Sequence, residues 1–223
     1  ISFNEKFSPG QTYKLQISEI KDCSGSSILA SSSEFSFKMP ALNPEKAESP
    51  DTSSVLITEI LADPSPELGL PLVEFVELYN PGMDTIDLKG WSISDLQTKS
   101  VIKTALLLPK QYLILCPAAD TALYKKFGST LGLSPWPMLG NSGDKLVLKS
   151  SKNRIVDSLV YSDTWYKKPV KKTGGWTLEK IDLSSKLCTG FYNWTASTDS
   201  AGGTPGKANS RNTANYLSSQ ISI

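Results

Sequence analysis

The sequence predicts an all-β protein, and three observations carry that expectation. Polar and apolar residues alternate with period two in short runs. Clusters of Gly, Pro, Asn and Asp punctuate those runs. No run approaches the length needed to span a bilayer. Short strands separated by turns are the mark of a sandwich or a barrel. At 223 residues the chain has room for one large domain or two modest ones, each able to bury its own core.

Taken in order, the first segment ends near Pro40. Gln11 to Ile17 alternates cleanly and Glu34 to Lys38 does so again, with Asp22-Cys-Ser-Gly25 turning between them. Two or three strands do not close a core alone, so their companions are expected upstream in a longer protein or in a neighbouring unit. The chain begins at Ile1 without the charged and apolar regions of a signal peptide, which reads as a piece of something longer. The second segment, Ala41 to Ser54, is polar and Pro-punctuated, and is expected to be a linker.

The third segment, Val55 to about Ser210, holds nearly all the core-forming material. Its strand candidates are Val55 to Leu61, Val73 to Tyr79, Trp91 to Ser94, Ser100 to Thr104 and Tyr112 to Cys116. Lys145 to Lys149, Ile155 to Tyr161 and Trp176 to Ile181 follow. Asn80-Pro-Gly82 supplies a turn after the second of these strands. A short helix is expected at Thr121 to Phe127, capped by Asp120 and ended by Gly128. Gly128 to Gly143 is expected to be an ordered, irregular loop. Residues 211–223 read as a tail or the start of a further segment.

Collinear motifs across the third segment resemble those of a bacterial lamin tail domain, an immunoglobulin-like β-sandwich. They are Ile57-Thr-Glu-Ile60, Glu74-Phe-Val-Glu-Leu-Tyr-Asn-Pro81, Leu88-Lys-Gly-Trp91, Gly140-Asn-Ser-Gly-Asp-Lys-Leu-Val-Leu148, Val156-Asp-Ser-Leu-Val-Tyr161 and Gly202-Gly-Thr-Pro-Gly-Lys-Ala-Asn209. The first segment, from Pro9-Gly-Gln-Thr-Tyr13 to Phe35-Ser-Phe37, resembles the last strands of a bacterial immunoglobulin-like repeat. The resemblance implies a non-catalytic binding or spacer module of a secreted or cell-surface protein. Its expected partners are other domains of a longer parent chain and another protein or surface polymer. An accessory role beside a secreted nuclease or phosphatase is the alternative. The resemblance brings no shared catalytic residues and implies no cofactor. The chain shows no heptad rod, which argues against a filament role.

Composition narrows the chemistry further. Twenty-three Lys and Arg balance 22 Asp and Glu, so no global field draws nucleic acid or anionic lipid to the molecule. There is no His, which removes the usual general base and metal ligand; no enzyme activity is expected of this chain. Three Cys allow at most one bridge: Cys116 reads either as a small buried hydrophobe or as the partner of Cys188.

Two constellations remain. Glu59, Glu74 and Glu77, with Asp63 and Asp95, form a carboxylate set able to hold a divalent cation, against a reading as solvent-facing charge or acceptors for turn amides. In one straight strand Glu74 and Glu77 point to opposite faces, so only a bulge would bring them together. The second is Trp165-Tyr-Lys-Lys-Pro-Val-Lys-Lys-Thr-Gly-Gly-Trp176. Lys167, Lys168, Lys171 and Lys172 lie there between Trp165, Tyr166 and Trp176, a combination able to bind a polyanion or nucleic acid, against a solvated loop at a sheet edge. Trp91, Trp136 and Trp194 invite a carbohydrate platform, with core packing the more common fate. Asn193-Trp-Thr195 fits the N-glycosylation acceptor pattern, and Gly202-Gly-Thr-Pro-Gly206 reads as the terminal turn.

Overall fold

A computed structural model describes residues 11–17, 33–38, 55–184 and 190–212. The chain divides into two compact units, Ile1–Thr52 and Ser53–Ile223. In the first, β1 (Thr12–Ile17) pairs antiparallel with β2 (Ser33–Lys38), Thr12 lying opposite Lys38 and Ile17 opposite Ser33. The expected turn at Asp22 to Gly25, the linker at Ala41 to Ser54, Cys23 and Cys188 lie outside the described residues.

The second unit is a sandwich of two sheets. One contains β3 (Leu56–Leu61), β4 (Phe75–Tyr79), β9 (Tyr112–Pro117), β10 (Thr130–Leu133), β13 (Leu178–Lys180) and β14 (Trp194–Ala196), in the order β10-β9-β4-β3-β13-β14. The other contains β6 (Ser92–Ser94), β7 (Lys99–Val101), β11 (Gly143–Lys149) and β12 (Ile155–Ser162), in the order β12-β11-β6-β7. A small ribbon, β5 (Ile86–Asp87) with β8 (Leu106–Leu107), accompanies them. Apart from β10, which runs parallel to β9, the pairings are antiparallel. Among the described residues no helix is long and apolar enough to cross a membrane.

Alternation decides which residues fill the sandwich. Ile57 and Ile60 of β3, Val76 and Leu78 of β4, Leu113 and Leu115 of β9, and Leu178 of β13 are buried between the sheets with Ile93, Leu146, Leu148, Trp91, Trp165 and Trp194. The opposite face of the six-stranded sheet carries a second, smaller core: Leu61, Phe75, Ile114 and Cys116, covered by Leu70 and Tyr124. The Phe75 and Tyr124 rings lie 5.2 Å apart, and the Tyr124 hydroxyl donates to Val73 O at 2.5 Å.

Turn chemistry fixes the connections. Asn80 is fully buried; its Oδ1 accepts from Gly82 N at 2.9 Å, while its Nδ2 is directed at the carbonyls of Asp84, Leu107 and Leu108. One amide thus shapes the Asn-Pro-Gly turn and ties it to β8. At the sandwich edge, Asp157 Oδ2 on β12 accepts from Ile57 N on β3 at 2.8 Å and lies 3.6 Å from Lys180 Nζ on β13, linking the two sheets.

Three expectations require correction. The helix is shorter than expected, α1 (Thr121–Tyr124), and Asp120 makes no side-chain cap bond; the Thr121 hydroxyl turns back to Ala118 O at 2.9 Å instead. The loop from Gly128 to Gly143 contains a strand, β10, because Thr130 to Leu133 add to the free edge of β9. The segment at 194–196, unassigned in the sequence, forms the opposite edge, β14.

Candidate functional site

The most concentrated ionisable chemistry lies on the outer face of the six-stranded sheet. Glu77 of β4 lies directly opposite Glu59 of β3, which lies directly opposite Glu179 of β13. Three carboxylates thus form a row across three neighbouring strands, and each is 0% exposed. A bulge in β3 sets this register. Ile57 pairs with Leu78 and Glu59 with Glu77, leaving Thr58 as the extra residue. Thr58 and Glu59 therefore share the outer face, while Ile57 and Ile60 both turn into the core.

Burying three adjacent carboxyls demands donors on every side. The segment from Gly202 to Arg211 supplies most of them by crossing the row as a strap. Thr204 N donates to Glu59 Oε1 at 2.7 Å, and the Thr204 hydroxyl donates to Glu179 Oε1 at 2.9 Å. Gly206 N reaches Glu77 Oε2 at 2.6 Å, while Ser210 Oγ and Arg211 N reach Glu179 Oε2 at 2.7 and 3.1 Å. From the sheet, Thr58 Oγ1 bonds Glu77 Oε1 at 2.8 Å and Thr177 Oγ1 bonds Glu59 Oε1 at 2.6 Å. The Asn209 amide then bridges Thr58 O and Lys180 O at 2.9 and 2.8 Å, anchoring the strap beside the bulge. The strap approaches closely: a Cβ on Gly203 would lie 2.8 Å from Glu59 Oε1, and Gly206 holds φ of +81°.

One oxygen is left over. Glu59 Oε2 is buried with no hydrogen-bond partner among the described residues. Burial first, and Glu179 beside it second, raise the Glu59 pKa from 4.5 to about 8, and burial with the neighbouring Glu59 raises Glu77 well above the ordinary carboxylate value. Burial thus favours the neutral acid over the carboxylate at Glu59.

The expected carboxylate set is therefore divided. Glu59 and Glu77 come together, buried instead of solvent-facing, and accept from the backbone amides of Thr204 and Gly206. Glu74, on the other side of the sheet, is half-buried and accepts from Trp136 Nε1 at 2.7 Å and Leu139 N at 3.1 Å. Burial raises its pKa. Asp95 takes turn amides, with Gln97 N at 2.6 Å. Among the described residues no group of three or more His, Cys, Asp or Glu is arranged to hold a metal ion. Glu179, Thr177 and Thr204 escaped the sequence reading. The available signal was a glutamate amid apolar strand residues, repeated in Thr-Glu-Ile, Val-Glu-Leu and Leu-Glu-Lys.

The lysine-rich segment folds as two 3₁₀ turns, Asp163–Tyr166 and Pro169–Lys171. Trp165 and Tyr166 are buried in the sandwich core, Trp165 lying 6.1 Å from Trp194, so neither ring offers a stacking face. Lys171 is 9% exposed; its ammonium sits 3.5 Å from the Trp176 ring centroid and donates to Ser197 O. Lys167 and Lys168 are exposed, and Lys172 pairs with Asp163 at 3.5 Å. Trp91 and Trp194 are core residues and Trp136 is half-buried, which leaves no carbohydrate platform among these three. Asn193 is also buried, its amide exchanging bonds of 2.7 and 2.9 Å with the Asp182 backbone, so the acceptor motif is closed to modification in the folded protein. Cys116 is a buried free thiol whose pKa burial pushes up to about 11.

No curated protein matches the chain closely enough to count as a relative. A family model described as the Lamin Tail Domain matches residues 48–163, more than half of the sequence. The described part of that match runs from β3 to the first 3₁₀ turn; β13, β14 and the strap lie beyond it but complete the same sheet and cover the same carboxylates. The immunoglobulin-like sandwich and the family model agree: this chain belongs to the lamin tail domain family.

Proposed function

We propose that the chain is a non-catalytic binding or spacer module of a bacterial secreted or cell-surface protein. The observation that carries this reading is the fate of the carboxylate row: Glu59, Glu77 and Glu179 are wholly buried and committed to internal bonds with the strap. An acid or base needs access to a substrate, and these three have none. The row holds the end of the domain against its middle, as suits a module placed between others in a longer chain. Appended to a secreted hydrolase, the same module would position its neighbour without touching the reaction.

Two measurements test this. Purified chain incubated with chromogenic phosphate mono- and diesters and with DNA is expected to give no turnover above buffer. Turnover abolished by Glu59→Gln would overturn the reading. Fractionation of cells expressing the parent protein is expected to place it on the surface or in the medium; recovery confined to the cytosol would refute the proposed location.

A further inference from the structure

A cavity of about 240 Å³ opens beside the edge strand β14. Lys167, Lys168 and Lys171 from the 3₁₀ turns line one side, Thr195 and Thr198 line another, and Arg211 closes it from the strap. Four basic residues line it, and among the described residues no Asp or Glu does. Glu179 is fully buried beneath the strap, where its carboxylate accepts from Arg211 N and Ser210 Oγ. Positive charge has therefore been gathered in one recess of a molecule whose net charge is only +1.

Like charges in one recess repel, and the lysines register it. Burial first and Arg211 second hold the Lys167 pKa below the ordinary lysine value; burial first and Lys168 second do the same to Lys171. The scaffold nonetheless keeps the groups in place. Lys171 is fixed by Ser197 O and the Trp176 ring, which leaves a third N–H on its ammonium. Lys167 adopts a left-handed backbone conformation, φ +58°, unusual for a residue with a side chain, and its ammonium lies 4.9 Å from the Phe191 ring centroid. Lys172 turns away to Asp163. A strained residue, a preset ammonium and two hydroxyl side chains around a small basic recess are the parts of a phosphate-type site.

We infer that this recess binds one compact oxyanion, a phosphate or sulfate group, through Lys167, Lys168, Lys171 and Arg211, with Thr195 and Thr198 at its wall. The site differs from a generally basic loop in two ways: it excludes Lys172, and it recruits Arg211 from forty residues further along the chain. It would take its anion whether the domain serves as a spacer or as a docking module.

The test is calorimetric titration of the 223-residue chain with inorganic phosphate, inorganic sulfate and methyl phosphate at low ionic strength. One saturable site per chain is expected. Lys167→Ala with Lys168→Ala, both at exposed positions, is expected to weaken binding by about tenfold or more, and Lys172→Ala to leave it within about twofold. Methyl phosphate binding as well as inorganic phosphate assigns the site to an ester carried on a larger ligand; binding of the inorganic ions alone assigns it to a free ion. Failure of all three anions to saturate, or a loss with Lys172→Ala equal to that of the double variant, would overturn the inference.

Discussion

Glu59→Gln separates the charge of the buried row from its shape. Glutamine keeps an acceptor for Thr204 N and Thr177 Oγ1, which bond Glu59 Oε1 at 2.7 and 2.6 Å, and places an NH₂ where Oε2 has no partner. With a folded-state pKa raised from 4.5 to about 8, wild-type Glu59 favours folding while protonated. Its contribution is complete below the unfolded-state pKa and is lost progressively as pH rises from 4.5 through about 8. The full loss is on the order of 4–5 kcal/mol, a large share of the roughly 5–15 kcal/mol that holds a domain folded. The variant has no proton to lose at this position.

The assay is urea denaturation at pH 5, 7 and 9. At pH 5 both folded proteins carry a neutral group, and the variant, with two N–H donors where the wild type has one O–H and no partner is present, is expected to be less stable by about 1–3 kcal/mol. From pH 5 to pH 9 the difference is expected to move toward the variant by several kcal/mol, a change of about 2 M in the midpoint difference for a slope near 2 kcal/mol per M. Glu77, raised chiefly by its own burial, leaves the variant some decline with pH. A wild type and variant whose curves run parallel across this range would refute the assignment of a neutral Glu59.

Further outcomes follow from the same geometry. Gly206→Ala places a Cβ 2.1 Å from Phe127 O at a φ of +81°, and its thermal midpoint is expected to fall by an amount equivalent to about 2 kcal/mol or more. Trp165→Ala empties a core position against Trp194, with an expected loss of about 3–5 kcal/mol in denaturant titration. Cys116 is buried and its thiol pKa is pushed up to about 11, so a disulfide reagent at pH 8 is expected to modify it only as the domain opens, at a rate that denaturant increases steeply.

The sandwich was legible because its signal is local. β3, β4, β9, β11 and β12 are runs whose own alternation separates core from outer residues, and Asn80-Pro-Gly82 announces its turn through side-chain chemistry. β10 and β14 were not legible for the opposite reason. Each is three or four residues long and exists because a neighbouring strand offers a free edge, a property of the assembled sheet. At the helix, Asp120 has the composition of a cap, but it closes the 3₁₀ turn Ala118–Asp120 at φ −108° and ψ 6°, outside the extended conformation from which a capping side chain reaches the first turn.

The carboxylate row lies between these cases. Period-two alternation correctly sends Glu74 and Glu77 to opposite faces, but alternation cannot say whether a face meets water. That depended on a strap whose Gly206 lies 129 residues beyond Glu77. The Thr58 bulge was equally hidden, because an inserted residue leaves no mark on composition and shows itself only when Ile57 and Ile60 must both face inward. Gly202-Gly-Thr-Pro-Gly206 therefore has two meanings. As a sequence it is a turn; as structure it is the lid whose backbone amides and Thr204 hydroxyl let three glutamates sit inside a protein. Replacing those glutamates with apolar residues would leave the strap its Asn209 bonds to Thr58 O and Lys180 O but none to the row, so the row's contribution lies in fixing the path of Gly202 to Arg211 across the sheet as much as in stability.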